Sequence, residues 1–255
     1  MRRFFIPRDR VQGPAPFLDG DEARHMIQVL RRKPGDRVVL FDDSDHEFQA
    51  RIASITATRV FLEISEQRTI IRESPLRITL GVPLIRSQPL DWMLQKGTEL
   101  GVTAFRPFFS RFSRRNFEKT GRDSRLDHSR KILIESVKQC GRNVLPRFFP
   151  AVSFSELLEL EEGDLKFIPY ENETCRTLKD LHRQASPPHS VTVLIGPEGG
   201  FSEEEHSLAG EKGFVSVSLG PRILRSETAA LTFISMLQFL WGDMGGSGNL
   251  ADFKE

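Results

Sequence analysis

Short runs that alternate apolar and polar residues fill roughly the first 70 positions: "RRFFI", "RVVLFD", "FQARIASI" and "VFLEIS". Period-two alternation puts every second side chain on one face of a strand, and the Pro-Gly-Asp and acid-rich stretches between the runs are turn signals. The pattern predicts a small antiparallel barrel. Its one helical interruption is "DGDEARHMIQVLR", with Asp21 as a candidate cap. Around "RTIIRESPLRIT" the period changes, and Ser74-Pro75 marks the expected hinge between two domains. Beyond it strands and helices alternate: "LRITLGVPL", "QPLDWMLQKGTELG", "VTAFRPFFS", a long helix near 126–140, "LKFIPY", "VTVLIG", "SEEEHSLAGEKG", "VSVSLG", and a closing helix from Ser226 to about Gly242. Such alternation implies a parallel sheet with helices on both faces. The expected class is α/β, with domains at 1–72 and 73–244 and a flexible tail at 245–255.

Composition narrows this picture. With 255 residues, 38% apolar and 28% charged, the chain suits one large domain or two modest ones, each able to bury a core. No apolar run reaches bilayer length, and "MRRFFIPRDR" lacks a signal core. No membrane association and a cytoplasmic location are expected. Cys140 and Cys175 are too few for a disulfide framework and lack zinc-ligand spacing, and the six histidines are scattered, so no metal site is expected.

The net charge of +1 predicts no polyanionic partner, but its distribution changes that. From Arg106 to Lys131 there are nine Lys or Arg against three acids, interleaved with Phe108, Phe109, Phe112 and Phe117. Cations neutralise phosphates and rings stack on unpaired bases. Seen alone, such a run reads more readily as a solvated face whose Phe residues enter the core. A second basic knot, Arg24 to Arg37, shifts the balance toward nucleic acid. The acidic stretch 156–164 reads as an exposed helix face.

Two loops carry the candidate chemistry. In "IGPEGGFSEEE", residues 195–205, a strand ends in Gly-Pro-Glu-Gly-Gly and a helix begins at Ser202, with Glu205 completing a capping box. Three acids in the first turn complement the helix dipole and oppose a phosphate there, and the Lys-Ser/Thr of a P-loop is missing. The glycines allow close backbone approach to a flat, largely uncharged group, with Glu198 open to a positive or hydrogen-bonding one. Further on, "SLGPRILRSETAALTFISMLQFLWG" repeats the device: Gly-Pro, two arginines, then a helix from Ser226. Two such loops side by side at the carboxyl edge of a parallel sheet form a ligand site. The last helix is apolar nearly all round, so it is either central in its domain or meets a partner subunit; a partner subunit is the preferred reading. No G-x-G-x-x-G follows a strand, which disfavours a nicotinamide enzyme.

"QKGTELGV" (95–102), "QCGRN" (139–143), "LIGPEGGFSEEE" and "LGPRILRSETAAL" together resemble the bacterial 16S ribosomal RNA uracil-N3 methyltransferases, members of the SPOUT superfamily. The resemblance covers almost the whole chain. It implies a C-terminal SPOUT-type parallel sheet with a trefoil knot, a PUA-like N-terminal barrel that binds RNA, S-adenosylmethionine as donor, and a homodimer. The implied substrate is 16S ribosomal RNA, free or in the assembled small subunit. The donor site falls on Ile195, Gly196, Pro197, Glu198, Gly199, Gly200, Leu219, Gly220, Ile223, Leu224, Arg225 and Thr228, with Tyr170 and Glu171 at its border. RNA contacts fall on Arg31, Arg32, Lys33, Lys96, Arg111, Arg114, Arg115 and Gln139. Two departures are Pro89, where a basic residue is usual and Arg86 is the substitute, and Gly97, where Ala or Ser is commoner.

Methylating uracil N3 requires loss of its proton or stabilisation of the anion. Each pH unit of deficit costs about 1.4 kcal/mol, within reach of a charge-assisted hydrogen bond or a positioned base. Arg225, Glu227 and Arg142 are the catalytic candidates: Arg225 stabilises the developing oxyanion, while Glu227 orients Arg225 or accepts the proton. First-turn dipole complementarity is the competing explanation of Glu227, and pairing within one helix the competing explanation of Lys96 and Glu99. Two rival functions stand beside this one: ribose 2′-hydroxyl methylation on the same fold, and a non-catalytic RNA-binding role in ribosome assembly.

Overall fold

The computed structural model describes residues 2–113, 122–184 and 186–245. The chain divides into two compact units, Met1–Glu73 with Ile134–Leu145, and Ser74–Leu133 with the chain from Pro146 onward. One break lies between Glu73 and Ser74, and Ile134–Leu145 groups with the first unit.

The first unit contains β1 (Arg3–Phe5), α1 (Arg8–Val11), β2 (Phe17–Leu18), α2 (Gly20–Arg24) continuing as a π-helical turn over His25–Val29, β3 (Arg37–Phe41), β4 (His46–Ile55) and β5 (Val60–Thr69). The strands form one sheet in the order β1-β3-β4-β5-β2. It is a mixed sheet, because β1 runs parallel to β3 while the other pairs are antiparallel. The fully antiparallel expectation is corrected here: α1, β2 and α2 separate β1 from β3, which leaves room for a parallel return. Phe4, Ile6, Leu18, Met26, Leu40, Ile52 and Val60 fill the core. Asp19, not Asp21, occupies the N-cap position of α2, and its side chain accepts from Arg10 instead of capping.

Side-chain chemistry explains why Ile134–Leu145 belongs to this unit. Arg72 Nη1 donates to Glu47 at 3.0 Å and to the Gly141 carbonyl at 2.9 Å. Asn143 Nδ2 donates to the Ile70 carbonyl at 2.9 Å, and Lys138 Nζ meets Glu22 at 2.9 Å. Arg142, 5% exposed, lays its guanidinium on Glu73.

The second unit comprises β6 (Arg77–Pro83), α3 (Ser87–Glu99), β7 (Val102–Phe109), α4 (Arg122–Cys140), whose last turns belong to the first unit, β8 (Arg147–Phe148), β9 (Val152–Ser153), α5 (Phe154–Leu160), β10 (Leu165–Pro169), α6 (Leu178–Gln184), β11 (Ser190–Leu194), α7 (Glu203–Glu211), β12 (Val215–Val217) and α8 (Ser226–Trp241). Every pairing is parallel, in the order β12-β10-β11-β6-β7-β8, with β9 also on β7. One core cluster gathers Leu90, Met93 and Leu94 of α3 with Ala230, Phe233, Ile234 and Leu237 of α8. Another gathers Phe154, Leu157 and Leu158 of α5 with Ala209 of α7. Phe167 belongs to the first and Ile168 to the second, as period-two alternation requires.

Pro89 sits in the first turn of α3, where a missing N–H costs nothing. Gly97 has a packing reason: a Cβ there would lie 3.0 Å from the ring of buried Phe105. The acidic stretch after α5 is not wholly exposed. Glu161 is 4% exposed and pairs with Arg106. Burial pushes its carboxyl up, with Arg106 and Thr192 pulling the other way. Arg106 is thereby removed from the basic surface, its guanidinium lying 3.9 Å from the Phe149 ring centroid. Among the described residues no helix is long and apolar enough to cross a membrane.

Candidate active site at the strand ends

β10 lies between β11 and β12, so the carboxyl ends of these three strands are neighbours. From them issue Tyr170, the Gly196–Gly200 turn and the Ser218–Arg225 loop. The Tyr170 N–H donates to the Val217 carbonyl at 3.1 Å, and the Gly200 N–H closes its turn onto Pro197 at 2.9 Å. Ser226 Oγ donates to the Gly196 carbonyl at 2.7 Å, which ties the start of α8 to the first turn. The two Gly-Pro bends are thus held together.

Local sequence explains the turn. Gly200 has φ +71°, a region in which only glycine is at ease, and a Cβ there would strike Glu171 Oε1 at 2.4 Å. Phe201 follows and anchors the turn in an aromatic cluster, 5.5 Å from Phe154 and 6.3 Å from Phe108 between ring centroids. Each such pair is worth about 0.5–1.5 kcal/mol beyond burial. The expected capping box is formed: Ser202 Oγ accepts from the Glu205 N–H while Glu205 accepts from the Ser202 N–H. Arg111 extends this terminus, with its N–H on Glu205 at 2.7 Å and its guanidinium on Glu204 at 2.9 Å. The Glu204 carboxyl lies below its ordinary range, first through its own backbone N–H, then through Ser202 and Arg111. Phe112 packs over Gly199.

A cavity of about 100 Å³ opens between the loops, lined in part by Tyr170, Glu171, Pro197, Glu198, Gly200, Leu219, Gly220, Arg222, Ile223 and Leu224. A larger groove of about 760 Å³ adjoins it, running from Arg86, Ser87, Gln88, Pro89 and Trp92 to Arg225, Ser226 and Glu227. The two share Pro197, Glu198, Ile223 and Leu224 as a common wall.

The sequence-predicted residues divide accordingly. Arg225 and Glu227 line the groove, although no ion pair joins them among the described residues. Ile195 is buried and pairs with the Gly81 carbonyl, Gly196 serves as acceptor for Ser226, and Thr228 lies exposed on α8. Lys96 pairs with Glu99 at 2.8 Å, as its helical spacing allows. Gln139 and Arg142 belong to the first unit, and the Arg142 guanidinium is held by Glu73. Arg31 and Lys33 are exposed, and Arg32 is 3.6 Å from Asp36. Arg114, Arg115, Phe117 and the tail from 246 lie outside the described residues.

Arg222 falls within the Leu219–Arg225 loop that the resemblance assigns to the donor, whereas sequence reasoning missed Trp92. Arg222 is the other arginine of "GPRILR"; Trp92 gives no signal until its helix is set beside the loops. It also missed His206, whose ring stacks on Tyr170 at 4.0 Å between centroids and whose Nε2 is 2.6 Å from Ser216 Oγ.

A parallel sheet with helices on both faces and a two-loop cavity at its carboxyl edge is a ligand-binding α/β architecture. Comparison with known proteins gives it a class. A profile of RNA methyltransferase domains matches residues 72–238, and one of RNA methyltransferase PUA domains matches residues 18–65. The ribosomal RNA small subunit methyltransferase E of Bacillus subtilis is 29% identical over 247 residues, 94% of this chain and 96% of that one. Its counterpart in Buchnera aphidicola subsp. Acyrthosiphon pisum is 30% identical over 94% of each chain. The Neisseria gonorrhoeae enzyme of the same name, solved bound to S-adenosyl methionine, superimposes with TM-score 0.85 at 35% identity, covering 96% of this chain and 99% of its own. A Legionella pneumophila methyltransferase solved with bound SAM gives TM-score 0.89 at 32% identity, covering 95% and 98%. This chain belongs to the ribosomal RNA small subunit methyltransferase E family of RNA methyltransferases.

Proposed function

We propose that this protein, a member of the SPOUT superfamily, methylates N3 of a uridine in 16S ribosomal RNA with S-adenosylmethionine as donor, and works as a homodimer. The observation that carries the reading is the Ser226–Gly196 hydrogen bond, which makes one site of two loops.

The residues at the smaller cavity suit this donor. Leu219, Ile223, Leu224, Pro197 and Tyr170 offer apolar and aromatic surface to an adenosyl group. Glu171 and Glu198 complement its cationic centres, and Arg222 its carboxylate. When bound, the donor supplies an electrophilic methyl group. The chain's own contribution is to place uracil and manage its proton. Arg225, exposed at the N-cap of α8, faces the groove where negative charge develops on the uracil oxygens. Glu227, in the first turn of α8 and half-buried, takes the N3 proton. Arg31, Arg32, Lys33 and Arg111 hold phosphates, so affinity falls steeply with salt. Arg114, Arg115, Lys96 and Gln139 complete the proposed RNA-binding set.

The homodimer is supported by α8. Its outer face, with Phe239 64% exposed beside Leu231, Met236 and Leu240, lines an apolar groove of about 830 Å³. Unpartnered apolar surface of this kind marks an interaction site.

The test is single-turnover methylation of small ribosomal subunits from a strain lacking this protein, with the modified nucleotide mapped by mass analysis. Arg225→Ala and Glu227→Gln are each expected to slow the chemical step about 100-fold or more while donor affinity by calorimetry holds for Glu227→Gln. Unchanged chemistry in both removes them from the catalytic role, and methyl found on a ribose overturns the N3 assignment.

A further inference from the structure

Trp92 is an expense that the fold does not require. The core-facing stripe of α3 is Leu90, Met93, Leu94 and Gly97, spaced three and four apart as one helical face. Trp92 lies off that stripe and is 53% exposed. Among the described residues its ring has no aromatic or cationic neighbour. The second tryptophan, Trp241, behaves differently: it is 9% exposed and stacks with Phe167 at 6.4 Å between centroids. A large flat apolar ring is thus left uncovered, and it is uncovered in the groove that holds Arg225 and Glu227.

The same groove is lined by Ile223 of the second loop, 89% exposed. Ile223 lines both cavities, while Trp92 lines the groove alone. On the donor and acceptor assignment above, the shared wall of Pro197, Glu198, Ile223 and Leu224 lies between the donor cavity and the acceptor groove. The groove's two exposed apolar groups sit one on α3 and one on the donor loop. Enzymes that act on a base take it out of its stack and hold it between aromatic and apolar side chains. A flat base suits this pair; an aliphatic or peptide occupant would not call for the charged rim. That rim includes Arg86, 3.7 Å from Glu198, with both side chains more than half exposed. An ion pair so exposed is weak and readily exchanged, which leaves Arg86 available to a phosphate.

We propose that Trp92 is the stacking platform for the target uracil once it is extruded from single-stranded RNA, with Ile223 closing the opposite face and Arg86 leaving Glu198 for an adjoining phosphate. The inference rests on the donor and acceptor assignment above and adds how the acceptor base is gripped. Stacking reads the face of a base and not its edge, so Trp92 contributes affinity and orientation, while the discrimination of N3 stays with Arg225 and Glu227.

The test uses the full-length protein and small ribosomal subunits lacking the modification. Trp92→Ala is expected to raise KM for the subunits about tenfold, equivalent to about 1.4 kcal/mol, with donor affinity by calorimetry unchanged. Trp92→Phe, which keeps a ring, is expected to stay within about threefold of the wild type. In a Trp241→Phe background, where Trp92 is the only tryptophan, a single-stranded RNA oligonucleotide spanning the mapped uridine quenches its fluorescence, and the same oligonucleotide abasic at that position does not. A KM for Trp92→Ala within twofold of wild type, or equal quenching by the abasic oligonucleotide, overturns the proposal. If the unmodified protein binds no donor, the functional reading fails instead, and calorimetry separates the two cases.

Discussion

At the residue scale the site depends on Ser226. Its hydroxyl is the link between the loops, donating to the Gly196 carbonyl at 2.7 Å, and Ser226 itself is 5% exposed. Ser226→Ala removes a hydrogen bond worth about 0.5–1.5 kcal/mol net. The expected outcome is a melting temperature lower by about 2–4 °C for each kcal/mol, accompanied by weaker donor binding. Thermal denaturation and calorimetry check both, and unaltered values would show that the loops hold without it. Ser226 was legible as a helix start. Its reach to Gly196 was not, because the two residues are 30 positions apart and only the sheet brings them together. Arg142 is similar: its motif marked it as a candidate, but its pairing with Glu73, 69 positions away, was not legible.

Among elements, the turn between α5 and β10 carries a pH-sensitive contact. Asp164 accepts from the backbone N–H groups of His189 at 2.7 Å and Ser190 at 3.0 Å, and those bonds hold its carboxyl below the ordinary range. A depressed folded value means that the contribution is present above the unfolded carboxyl's titration and lost as pH falls through the folded value. Asp164→Asn is therefore expected to be less stable than wild type at pH 7, with the gap closing in acid; melting curves from pH 7 to pH 3 test this, and a constant gap would refute it. Long periodic elements were readable: β4, β5, β6, α3, β7 and α8 all fall where the alternation places them. The two-residue strands β8 and β9 and the seven-residue α6 were not, since so few positions display no period. Gly97 lowers helix propensity by about 1 kcal/mol relative to Ala, and only the Phe105 ring on β7 explains its presence.

For the whole molecule, the outer face of α8 sets the expected assembly. Phe239→Glu places a charge in the apolar groove without touching the core, so the fold should lose no more than about 0.5 kcal/mol. Sedimentation is expected to find the wild type dimeric and this variant monomeric; a monomeric wild type at assay concentration defeats the homodimer. By itself the sequence determined what depends on near neighbours. Alternation of side chains specified strand and helix, Gly-Pro punctuation specified where strands stop, and Ser202 with Glu205 specified where a helix starts, because these are interactions within a few residues along the chain. Only the tertiary structure decided what depends on distant ones. It gave β1 a parallel partner, drew Ile134–Leu145 into the first unit, buried Arg106 against Glu161, and set Trp92 on the same groove as Glu227. Such contacts join residues that a linear pattern treats as unrelated, and sheet order and burial alone choose them.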